Sequence, residues 1–116
     1  MPAKIKTEFG DIYISEEVLA SLAGLATIEC YGLVGMASKN AKDGIVELLK
    51  RENLSKGVKV AAEGEEIVID LYIIVEFGTR ISTVADNIIS KVKYSLEKFT
   101  GLKVRRVNIN VQGVRV

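Results

Sequence analysis

A chain of 116 residues, 48% hydrophobic and with a single proline, has the size of one domain and enough apolar character for its own core, which excludes an extended disordered chain. Its 16 basic and 15 acidic residues leave a net charge of +1, so no global field draws it to nucleic acid or anionic lipid. One cysteine and no histidine exclude an internal disulfide, a thiolate metal cage within one chain, and the usual neutral-pH general base.

The amino end, Met1-Pro2-Ala3-Lys4-Ile5-Lys6, lacks the apolar stretch of a secretory signal. Alternation over residues 10–14 predicts a short strand. Ser15 is the expected N-cap of a first helix, with Glu16 and Glu17 in the turn where the helix dipole favours carboxylates. Val18, Leu22, Leu25, Ala26 and Ile28 recur at helical spacing, which predicts a helix over 16–30 stopped by Gly32. After a polar loop through Lys42, Asp43 is the expected cap of a shorter second helix carrying Ile45, Leu48 and Leu49 and ended by Asn53 and Gly57.

Residues 58–62 begin a strand, Glu63-Gly64-Glu65 is a hairpin turn, and 66–77 is the strongest strand of the chain. Its odd positions, Ile67, Ile69, Leu71, Ile73, Val75 and Phe77, form one continuous apolar face. Asp70 and Glu76 interrupt this run, which is far shorter than the ~20 residues that cross a bilayer. The expected location is therefore cytoplasmic, with no direct membrane insertion and any membrane association made through a partner. Gly78-Thr79-Arg80 breaks the strand, and Ser82 is the expected cap of a third helix with Val84, Ala85, Ile88, Val92 and Phe99 on one stripe. Gly101 closes that helix. In the last strand, 102–116, the apolar phase shifts twice, which predicts irregularities near Arg105-Arg106 and at Gly113.

The resulting order is β-α-α-β-β-α-β in a single domain, 1–116. The expected class is α+β, a two-layer sandwich of a mixed sheet with helices on one face. Its first six elements follow the order of a KH module, in which a G-x-x-G loop between two helices clamps a nucleic-acid backbone. Gly32-Leu33-Val34-Gly35 occupies the matching place, but Leu33 and Val34 stand where such a loop carries cations. The bland reading of the same segment is a helix stop followed by a tight turn.

No catalytic residue, cofactor site or metal site is expected. The acidic clusters, Glu16-Glu17 and Glu63 with Glu65-Glu66, fall at a helix start and a hairpin turn, where carboxylates are solvated. Cys30 lacks an activating neighbour and is expected as a buried small apolar side chain. Lys103, Arg105 and Arg106, with Lys91, Lys93 and Lys98 nearby in sequence, are expected on a solvated edge, where basic side chains protect an exposed strand from pairing; the alternative is a cationic patch for an anionic surface. The most suggestive surface is the second face of the long strand, where Val68, Tyr72 and Ile74 form an apolar stripe rimmed by Glu66, Asp70 and Glu76.

The segments Ile14-Ser15-Glu16-Glu17-Val18, Glu29-Cys30-Tyr31-Gly32-Leu33-Val34-Gly35-Met36, Asp70 through Gly78, and Thr100-Gly101-Leu102 leading into Val107 through Val114 resemble, in that order, the alkaline-shock-protein family of Gram-positive bacteria. The likeness spans residues 8–114, with Phe77 where the family typically has tyrosine. It implies a small non-enzymatic protein linked to cell-envelope homeostasis and stress. Some relatives self-associate, some are held at the membrane by a separate anchor protein, and others are tied to control of lipid metabolism. The expectation is a protein-interaction module with protein partners, among them a membrane-anchored one or a second copy in a homo-oligomer, and without nucleic acid. The alternative is a KH-like binder of single-stranded nucleic acid using Gly32, Leu33, Val34 and Gly35.

Overall fold

The computed structural model describes residues 2–39, 49 and 51–116, and among these the architecture is set by one long strand. The described elements are strands β1 (Ala3–Thr7) and β2 (Gly10–Ile14), helix α1 (Glu16–Ile28), strand β3 (Leu33–Met36), a 3-10 segment (Arg51–Gly57), strands β4 (Val58–Glu63) and β5 (Glu66–Glu76), helix α2 (Ile81–Thr100) and strand β6 (Lys103–Arg115). The fold is α+β with a mixed sheet, as the sequence predicts. The expected second helix, with its cap Asp43 and its residues Ile45 and Leu48, lies outside the described residues.

Strand β5 pairs antiparallel with β4 through Glu66 to Leu71 and antiparallel with β3 through Ile73 to Val75. It pairs parallel with β6 from Glu66 to Glu76. A strand has two hydrogen-bonding edges, so β3 and β4 lie end to end along one edge and β6 runs the length of the other. The odd side chains Ile67, Ile69, Leu71, Ile73 and Val75 are all buried, and they join one core with Leu19, Ala23 and Ala26 of α1 and Val84, Ile88, Val92 and Leu96 of α2. Both helices therefore cover the odd face of the sheet. Burying side chains of this size stabilises by about 1.5–3 kcal/mol each as an upper bound.

Local chemistry explains the helix ends. The Ser15 hydroxyl accepts from the Val18 amide at 3.2 Å, as expected of an N-cap. Helix α1 stops at Ile28, two residues earlier than the periodicity predicts. Helix α2 starts at Ile81 with Arg80 as an N-cap that makes no side-chain bond, so Ser82 sits inside the first turn and not at the cap. Its buried stripe ends on Leu96, and Phe99 is 72% exposed. The spacing Val84, Ile88, Val92, Leu96 is a strict i, i+4 row, and Phe99 falls one residue short of the next position. At the other end the left-handed Gly101, at φ 77°, donates its amide to Glu97 O at 3.0 Å.

Strand β2 stands where the sequence predicts it, over 10–14, whereas β1 and β3 are not predicted. β1 pairs with β2 as a hairpin whose turn is Glu8-Phe9, and this pair forms a separate two-stranded sheet. The hairpin is tied down along β1 by the buried Ala3, by Ile5 packed against the core, by Lys4 N donating to Gly64 O, and by Lys6 N donating to Glu65 Oε1. Its outer end carries Phe9, 95% exposed. The phase shifts expected in the last strand are present: the register slips between Val104 and Arg106 and again between Val111 and Gly113.

The two cap assignments have different consequences. Ser15→Ala is expected to cost about 1 kcal/mol of stability, whereas Ser82→Ala, at an exposed site with no capping role, should stay within about 0.5 kcal/mol. Chemical denaturation of the two variants measures the difference.

Candidate interaction surfaces

The Gly32–Gly35 segment is not a loop. Leu33–Met36 is a strand, with Leu33 opposite Val75, Gly35 opposite Ile74, Met36 opposite Ile73 and a bulge between Leu33 and Gly35. Gly32 O accepts from the Glu76 amide at 3.1 Å, and the chain continues along β5 with Ala37 N donating to Tyr72 O at 2.9 Å. A phosphate clamp needs backbone amides free to face a ligand, and this segment pairs instead with the central strand. Leu33 packs against the core and Gly35 is buried. Gly32 is buried too, at φ 87°, and a Cβ there would lie 2.7 Å from Val84 Cγ2 of α2. The glycine thus serves both a left-handed backbone and close passage past α2.

The even face of β5 carries no helix among the described residues. Cross-strand partners share a face, so Lys59, Asp70 and Asn108 form one row across it. Asn108 Nδ2 donates to Asp70 Oδ1 at 2.8 Å, and Asn110 Nδ2 donates to Leu71 O at 3.2 Å. Lys103 reaches Glu66 at 4.0 Å. Val68 and Tyr72 on this face are half-buried. Ile74, expected beside them as exposed contact surface, is only 3% exposed, so the apolar stripe shrinks to two interrupted side chains.

A further group of exposed apolar residues lies at the end of the sheet where β5 finishes. The Gly32–Glu76 bond brings the α1–β3 turn against the end of β5. Phe77 N donates to Arg115 O at 2.8 Å, which brings in the end of β6. Thr79 Oγ1 donates to Glu76 O at 2.6 Å and holds the turn into α2. These three connections gather Tyr31 (88% exposed), Phe77 (73%), Ile81 and Val114 at one end of the molecule, all of them exposed. Sequence reasoning placed Phe77 in the core because it continues the odd positions of the strand. The strand stops at Glu76, and the following Gly78, at φ 90°, turns the chain away. The Gly78-Thr79-Arg80 break was the available signal that Phe77 belongs to a turn.

Cys30 is half-buried beside this end, its thiol directed at Ala26 O at 3.8 Å. Burial raises its pKa above 9.0, the Lys91 ammonium opposes that shift, and Glu29 adds to it. Lys91 is itself paired with Glu29 at 3.3 Å. A raised thiol pKa keeps Cys30 protonated at neutral pH, which removes the nucleophilic form. Alkylation by iodoacetamide is therefore expected to be slower at pH 8 than for a free peptide thiol, with a rate that climbs through a midpoint above 9.0.

Among the described residues, no helix is long and apolar enough to cross a membrane. Comparison with known proteins finds relatives along nearly the whole chain. It is 56% identical to the uncharacterized protein YloU of Bacillus subtilis over all of this chain and 98% of that protein. It is 34% identical to the uncharacterized protein YqhY of the same organism, over 94% of this chain and 80% of the relative. A Streptococcus pyogenes homologue of the stress response regulator gls24 is 28% identical over 91% of this chain, which spans 59% of that longer protein. No solved structure matches. The resemblance read from the Glu29-to-Met36 and Asp70-to-Gly78 segments holds across almost the whole sequence. Residues 4–116 match the family model, and the chain belongs to the alkaline-shock-protein-23 family, a family of cell envelope-related function.

Proposed function

We propose that this protein is a non-enzymatic interaction module of the cell-envelope stress response, acting in the cytoplasm through contacts with a protein partner or a second copy of itself. The observation that carries this reading is the cluster of Tyr31, Phe77, Ile81 and Val114, exposed at one end of a well-packed domain. Tyrosine and phenylalanine supply large contact area for little lost side-chain freedom and recur as binding hot spots. The backbone bonds Glu76–Gly32 and Phe77–Arg115 hold the turns that carry them, so less ordering entropy is lost on binding. The envelope-related family and the stress-regulator relative supply the setting. A membrane-anchored partner and a partner in lipid metabolism both fit this mode of action, since either would be bound and not chemically transformed.

The test compares two surfaces in one assay. Native-lysate capture and light scattering after size exclusion are run on the parent chain, on a Tyr31→Ser/Phe77→Ser double variant, and on Tyr72→Glu. The double variant is expected to lose partner capture or self-association by at least about tenfold, the loss of one or two hot-spot side chains, with an unchanged melting temperature. Tyr72→Glu should affect assembly less. Capture unaltered in the double variant and abolished by Tyr72→Glu would move the working surface to the open sheet face. Capture unaltered in both would sink the interaction reading of these surfaces.

A further inference from the structure

Among the described residues β5 is the only strand paired with β6, and at the start of the outer side the Val104 amide donates to Glu97 Oε2 of α2 at 3.0 Å, so the open part of this edge strand lies beyond Val104. The two register slips, at Arg105 and Gln112, divide that edge and leave residues 106–111 as a regular window between them.

The pairing with β5 assigns each side chain of β6 to a face. Val104, Val107, Ile109, Val111 and Val114 lie opposite odd residues of β5 and share the helix-covered face. Ile109 and Val111 there are only half-buried, although they pack against the core, so apolar surface remains uncovered beside the open edge. Lys103, Arg106 and Arg115 lie opposite even residues of β5, on the open face, and Arg106 and Arg115 are exposed. The stretch from Lys103 to Val116 holds four basic residues and no acidic one. The edge is therefore apolar on one side, and on the other carries Arg106 within the window, ahead of Asn108 and Asn110, with Lys103 and Arg115 beyond the two slips.

We propose that the outer edge of β6 accepts an extended segment of a partner protein, alternating apolar and acidic residues, as a further strand of the sheet. Main-chain bonds to 106–111 supply the common part of the affinity, and side chains of alternating chemistry supply selection. The apolar residues of the incoming strand cover Ile109 and Val111, and a carboxylate meets Arg106, since opposite charges on adjacent strands stabilise a pair. The same charges argue against a second copy as the occupant. A second β6 edge brings no carboxylate to Arg106, because residues 103–116 contain no acidic side chain. The arginines and the bulges thus disfavour self-pairing while leaving the window receptive to a complementary strand.

The 106–111 window shares no residue with the end cluster, so their tests fail independently. A fluorescein-labelled peptide of five alternating Val-Glu pairs is titrated into the full chain and followed by anisotropy, with a Val-Lys peptide of the same length as control. The Val-Glu peptide is expected to bind, with affinity falling as salt rises, and the Val-Lys peptide to bind at least about tenfold more weakly. Hydrogen exchange of the complex should show new protection of the amides in 106–111. Arg106→Glu, a change at an exposed site, should weaken Val-Glu binding by about fivefold to tenfold while leaving the thermal melt unchanged. Absence of binding by the Val-Glu peptide, equal binding of the two peptides, or protection that maps away from 106–111 would each overturn the proposal.

Discussion

A strand has only two hydrogen-bonding edges, and three strands of this protein compete for those of β5. The solution divides one edge lengthwise, β4 taking the first part and β3 the last, while β6 takes the whole of the other. The odd side chains of β5 are meanwhile the floor on which both helices rest. Backbone pairing and core packing thus converge on the same eleven residues. The short β3 follows from this arrangement, because only the segment of β5 beyond Leu71 is free to receive it. The same division turns what looks in sequence like a glycine loop into part of the sheet.

Where the physics is local, the sequence is readable. Ser15 as a cap, Gly101 as a helix stop, the Gly64 turn and the alternation of β5 each follow from residues within a few positions of one another. So do the two irregularities of β6, since a change of apolar phase within a strand requires an inserted residue. Where partners are distant in sequence, the reading fails. Leu33–Met36 is too short to announce itself, and it is a strand because β5 has a vacant length of edge. Ala3–Thr7, with lysines at alternate positions, becomes a strand only because β2 folds back on it. Phe77 and Phe99 were assigned to the core by periodicity alone. Both lie just past the point where the element turns or the buried row ends, and each is therefore outside.

The candidate surfaces shift for the same reason. The open face of β5 was legible as a face, but its most apolar member, Ile74, is buried, and its remainder is threaded with Asp70, Asn108 and Asn110. The end cluster could not be read from any one segment, because Tyr31, Phe77, Ile81 and Val114 come from three connections joined only by tertiary hydrogen bonds. The segment that most strongly marks the family, Glu29 through Met36, contributes Tyr31 to that cluster while its glycines thread past α2. A family signature and an exposed aromatic side chain thus sit side by side for different physical reasons.

The amino-terminal hairpin has a consequence for how the domain opens. Two paired strands alone are marginal in water, and this pair is a sheet of its own, fastened to the rest by two bonds to the β4–β5 turn and by the packing of Ala3, Ile5 and Ile14. The free energy needed to detach it is therefore well below that needed to separate β5 from β6 or α2 from the sheet. The protein is two-tiered: a body organised around the central strand, and an arm whose excursions expose Ala3, Ile5 and Ile14 together with the core surface they cover. Transient release would also uncover the β4–β5 turn at Gly64 and Glu65, to which the arm is bonded. The first step of unfolding, proteolytic attack or strand exchange between copies is thus set at the beginning of the chain.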